Sequence, residues 1–77
     1  MNELLELVAK SLVDQPEEVS VERFEEDDAI VFELRVAPED LGKVIGRQGR
    51  TIKALRSLLG VAGMKMGQRL ILEVPEP

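Results

Sequence analysis

The sequence predicts a small α+β domain with elements in the order α-β-β-α-α-β, a three-stranded mixed sheet with three helices on one face. Three observations carry this. The apolar residues switch between a period near 3.6 and a period of 2 along the chain. Leu, Ile, Val and Phe make up about a third of the residues, enough for one core and too much for a disordered chain. The 77 residues suffice for a single domain, 1–77, and no more.

The first helix is predicted over Asn2 to Val13, with Leu4, Leu5, Val8 and Leu12 as its apolar stripe and Leu7 and Val13 outside it. Asp14-Gln15-Pro16 ends it, because a residue before proline avoids the α region. Val19, Val21 and Arg23 alternate along a first strand, Glu25 to Asp28 make an acidic turn, and Ile30, Phe32, Leu34 and Val36 alternate along a second strand. Phe24 and Phe32 are both expected in the core. Pro38, Glu39 and Asp40 suit the start of a short helix that runs to about Ile45. Another helix begins near Gly49 or Arg50 with Ile52, Leu55, Leu59 and Ala62 as its stripe, and ends between Leu59 and Met66. Leu70, Leu72 and Val74 form the last strand. About thirty residues separate the second and third strands, a crossover length that makes them parallel.

Composition removes whole classes of chemistry. The chain has no cysteine and no histidine, hence no disulfide, no thiolate metal site and no imidazole base. The serines lack a partner to activate them, and the acidic run Glu25–Asp28 lacks the alternation and central glycine of a calcium loop. No catalytic residue, metal or cofactor is expected. No apolar run reaches the ~20 residues of a membrane span. The start of the chain, with Glu3 and Glu6, is unlike a signal peptide. A cytoplasmic protein is expected.

Net charge is −5, but it is unevenly placed. Residues 1–40 hold three bases against thirteen acids. Residues 41–77 hold seven bases against Glu73 and Glu76, with no acid between Leu41 and Leu72. Charges farther apart than the Debye length, about 8 Å at physiological salt, are screened across solvent. A basic surface can therefore bind an anion on an acidic protein. Taken alone, the run of bases is equally compatible with a solvated face.

The glycines add to it. In Leu41-Gly42-Lys43-Val44-Ile45-Gly46-Arg47-Gln48-Gly49-Arg50-Thr51-Ile52-Lys53, two glycines three apart sit between two helical patterns with bases on both sides. Glycine tolerates a positive φ and lets a phosphate approach the main chain, and the following helix start favours an anion. A P-loop is excluded because Gly49 is followed by Arg50-Thr51 rather than Lys-Ser/Thr, and a dinucleotide fingerprint because no glycine stands two residues before Gly46. A helix-loop-helix turn with glycine caps is the structural alternative.

Val44-Ile45-Gly46-Arg47-Gln48-Gly49-Arg50-Thr51-Ile52 resembles the Val-Ile-Gly-x-x-Gly-x-x-Ile signature of KH domains, which bind single-stranded RNA or DNA. The element order is similar to the bacterial, type II arrangement, and the resemblance covers nearly the whole chain. It implies a groove in which the glycine loop clamps the backbone of about four nucleotides. By position, Gly46 and Gly49 admit the sugar-phosphate backbone. Arg47 and Gln48 contact phosphate and sugar. Lys43, Arg50 and Lys53 flank the track. Val44, Ile45 and Ile52 line the groove floor, with ordinary core as their alternative. Lys65 and Arg69 are candidates for the opposite side. Such a groove holds bases on aliphatic surface, which agrees with a chain that has no Trp or Tyr to stack them.

The family resemblance implies a single-stranded RNA-binding protein, a post-transcriptional regulator or RNA chaperone. It also implies self-association or pairing with a larger KH-domain protein, to which Leu7 and Val13 could contribute. A subunit whose main role is to dock another protein is the competing reading.

Overall fold

The computed structural model describes residues 1–76. Helix α1 spans Asn2–Leu12, strands β1 and β2 span Ser20–Glu26 and Ala29–Arg35, helices α2 and α3 span Leu41–Ile45 and Arg50–Met66, and strand β3 spans Arg69–Glu73. Single 3₁₀ turns at Pro16–Glu18, Pro38–Asp40 and Arg47–Gly49 join them. The predicted order α-β-β-α-α-β is the observed one.

The sheet order is β1-β2-β3. Strands β1 and β2 form an antiparallel hairpin from Ser20↔Arg35 to Glu26↔Ala29. Strands β2 and β3 pair in parallel from Ala29↔Arg69 to Glu33↔Glu73. The crossover between them is the α2–α3 segment. Period-2 alternation puts Ile30, Phe32 and Leu34 of β2 beside Leu70 and Leu72 of β3 on one face of the sheet. That face meets Leu5 and Ala9 of α1, Val44 of α2, and Leu55 and Leu59 of α3 in one apolar cluster. Leu34 lies at its centre with no solvent exposure. Truncating it to alanine would cost about 2–5 kcal/mol.

Two core expectations are corrected. Phe24 is 41% exposed and stands on the other face of the sheet, in register with Val31. It is three residues from Val21, and an odd separation along a strand reverses the face. In α1 the buried residues are Leu5 and Ala9, whereas Leu4 is 56% exposed and Leu12 is also exposed. The helix carries two adjacent apolar stripes, and the sheet takes the one through Leu5. It ends one residue early, at Leu12, and Val13 packs on the core instead of facing outward.

The far end of α3 lies at the late limit of the predicted range. Gly60 and Gly63 stay within the helix, which stops at Met66. There Gly67 takes φ 67°, and the Gln68 N–H donates to the Gly63 carbonyl at 2.8 Å. Among the described residues, no helix is long and apolar enough to cross a membrane.

Candidate nucleic-acid interface

Helix α2 has only five residues, too few for intrinsic helix stability. It is held by what it touches. Val44 is fully buried beneath it, and the Asp40 carboxylate anchors the turn before it. Oδ1 of Asp40 accepts the Asp14 N–H at 3.2 Å, and Oδ2 accepts the Gln15 N–H at 3.0 Å. Burial pushes the Asp40 carboxyl up, but these two N–H groups and the Lys43 ammonium outweigh it and hold the group below its ordinary value. Lys43 places its Nζ 2.6 Å from Asp14 Oδ2 and 3.4 Å from Asp40 Oδ1. Its pKa is raised, first by the hydrogen bond to Asp14, with desolvation opposing and Asp40 assisting.

The loop begins where α2 ends. The Gly46 N–H donates to the Gly42 carbonyl at 2.9 Å, and the Gly49 N–H to the Gly46 carbonyl at 3.1 Å. The two glycines then play different parts. Gly46 has φ 79°, and a β-carbon there would collide with the Thr51 side chain. Gly49 has φ 72° and open space where a side chain would stand. Gly46 is thus locked against the start of α3, and Gly49 leaves the main chain accessible. Gln48 between them also has a positive φ, 56°. Its Oε1 accepts a hydrogen bond from the Arg50 guanidinium at 3.2 Å.

Arg47, Gln48, Arg50 and Lys53 are exposed around this loop. Among the described residues, none of the three bases forms an ion pair. Helix α3 starts at Arg50 with no side-chain cap, so its first N–H groups and the positive end of its dipole face the same region. Ile45 and Ile52 are partly exposed beside it. Val44 is wholly enclosed and shapes this wall from below. The loop, α2 and the first turns of α3 thus bring together all the residues the sequence singles out here. Lys65 and Arg69 lie apart from them, toward the other end of α3. Arg69 shares a surface depression with Glu26, Asp27 and Asp28 of the hairpin turn.

Two contacts were not foreseen. Arg56 of α3 reaches the Leu72 carbonyl on the edge strand β3, with Nε and one terminal nitrogen each 3.4 Å away. This links the helical wall to the strand edge. Asp40 is the other. Its place after Pro38 predicts an acid at a helix start, but the N–H groups it accepts lie about 25 residues earlier. Only the i, i+3 spacing from Asp40 to Lys43 was visible in advance.

A glycine loop between two helices, on a sheet ordered β1-β2-β3 with a parallel β2–β3 pair, is the architecture of a type II KH domain. Comparison with known proteins agrees. Residues 2–74 match the family model described as KhpA/KhpB, KH domain. The chain is 50% identical over 74 residues to the RNA-binding protein KhpA of Clostridium acetobutylicum, covering 96% of this chain and 99% of that one. It is 47% identical over 76 residues to the KhpA of Aquifex aeolicus, covering 99% and 96%. It is 44% identical over 72 residues to that of Borreliella burgdorferi, covering 94% and 88%. The chain belongs to the KhpA/KhpB KH-domain family.

Proposed function

We propose that the protein binds single-stranded RNA in the cytoplasm by clamping the sugar-phosphate backbone at the Gly46–Gly49 loop. One observation carries this reading: three unpaired bases, two positive-φ glycines and an uncapped helix start converge on one exposed turn. Arg47, Arg50 and Lys53 meet phosphates, Gln48 meets sugar or phosphate, and Gly49 lets the strand approach the main chain. Ile45 and Ile52 offer aliphatic surface to the bases. The strand then runs past Arg56 toward the β3 edge. A short clamp on the backbone gives modest affinity and permissive sequence preference. That suits a post-transcriptional regulator or RNA chaperone acting on many transcripts.

The test is the double substitution Arg47→Asp/Gln48→Asp. Both side chains are exposed, so circular dichroism stays that of wild type. Affinity for a short single-stranded RNA falls at least about 100-fold, because a cation is lost and two anions enter the phosphate track. Unchanged affinity overturns the clamp.

A second reading, compatible with the first, rests on a different surface. Leu4 of α1 stands beside Leu58 and Val61 of α3, which are 67% and 61% exposed. Together with Met1 they line an apolar groove of about 300 Å³. Exposed large aliphatic residues gathered on one face favour a protein partner. We infer that this face pairs with a second copy or with the KH domain of a larger relative.

A further inference from the structure

The cluster of Asp14, Asp40 and Lys43 stands beside the loop and is absent from the RNA track described above. Asp40 is 1% exposed and is the sole charged side chain buried among the described residues. A buried carboxylate is costly unless it is hydrogen-bonded and paired. Here both oxygens accept main-chain N–H groups, and both belong to the turn that follows α1. Lys43 ties the same two segments through Asp14, and the Gln15 side chain donates to Glu39 Oε2 at 2.8 Å. Four links therefore fasten the end of α1 to the start of α2. Helix α2 is too short to set its own direction, and the Gly46 N–H bonds back into it. The orientation of the loop is inherited from this fastening.

The Lys43 ammonium is shared by two carboxylates, so the cluster carries a net charge of −1, and its one cation is already engaged by Asp14 and Asp40. We propose that Asp40 is a positioning residue for the RNA-binding loop, and that Lys43 belongs to its frame and not to the phosphate track. This deepens the single-stranded RNA reading and rests on it for its effect on affinity.

The experiment is a salt series with a short mixed-sequence single-stranded RNA, run on wild type, Arg47→Gln, Lys43→Gln, Lys43→Arg, Asp14→Asn and Asp40→Asn. Arg47→Gln shallows the slope of log K against log salt by about 0.7, one phosphate contact. Lys43→Gln lowers affinity severalfold with the wild-type slope, and Lys43→Arg, which keeps a donor for both acids, restores most of it. Asp40→Asn, assayed where circular dichroism shows it folded, loses about 10-fold with the same slope. If Asp40→Asn does not fold, the exposed variants Lys43→Gln and Asp14→Asn carry the test. In these two, hydrogen exchange at the Gly46 and Gly49 amides speeds up while that of β2 does not.

A slope that Lys43→Gln shallows as much as Arg47→Gln does puts Lys43 on the phosphate track and overturns the proposal. Unchanged affinity and unchanged loop exchange in Lys43→Gln and Asp14→Asn overturn it as well. Wild-type protein that binds no RNA at any salt defeats the reading of the site instead. The loop-amide exchange then still decides the frame.

Discussion

The two ends of α3 have opposite surroundings. At its start stand Arg47, Arg50 and Lys53 around an open glycine loop. Beyond its end lies the hairpin turn, where Glu25, Glu26, Asp27 and Asp28 gather, with Arg23 paired to Glu25 and Arg69 beside the turn. The helix has 17 residues and so is about 25 Å long. That is some three Debye lengths at physiological salt, and each end is electrostatically on its own. The net charge of −5 is therefore no guide to what either end binds. The fold keeps the four acids of the hairpin turn away from the basic loop, while Asp14, Glu39 and Asp40 stand close to it around Lys43.

Within the basic end, the two glycines sharpen the contrast between what builds the loop and what the loop does. Gly46→Ala forces a residue with a β-carbon into φ 79° and against Thr51. It should cost more than about 1 kcal/mol of stability and weaken RNA binding with it. Gly49→Ala meets strain from φ alone, in open space, and should cost about 1 kcal/mol. Its loss of RNA affinity should be large relative to its loss of stability. Urea melts and RNA titrations on both variants measure the difference. Equal ratios of binding loss to stability loss would break the distinction.

The apolar face of α1 and α3 sets a second comparison, between the proposed surface for RNA and the proposed surface for protein. On the proposed reading in which this face pairs two copies, Leu58→Glu abolishes that self-association, as read by analytical ultracentrifugation, with the fold retained because Leu58 is exposed; wild-type protein that sediments as a monomer leaves the face to a different partner. A monomer keeps its loop, so affinity for a short RNA should be nearly unchanged. Affinity for a long RNA should fall about 10-fold or more, since two linked grooves act at high effective concentration.

The smallest effect belongs to the acidic end. Glu25→Gln/Asp28→Asn should change RNA affinity less than about 2-fold at physiological salt and more at low salt, where screening weakens. A large effect at physiological salt would mean that the RNA reaches the hairpin, and the separation of the two ends would fail.

Much of this was legible in advance, for identifiable reasons. Element order follows from the periodicity of the apolar residues, and the loop from glycines placed between bases. The misplacement of Phe24 had a visible signal, because it cannot share a face with Val21. The side of α1 that meets the sheet had none: Leu4 and Leu5 head two neighbouring stripes, and only packing against β1 and β2 chooses between them. The role of Asp40 was hidden because its donors are main-chain groups of Asp14 and Gln15, which local spacing does not connect to it.

In the proposed clamp, three cations at one loop grip the backbone of a single strand. The most direct measurement is a salt titration of wild-type protein against a short single-stranded RNA and against its duplex. Three phosphate contacts predict a slope of log K against log salt of about −2 for the single strand, with much weaker binding to the duplex, whose paired bases cannot enter the groove. A slope near zero, or equal affinity for the duplex, would contradict it.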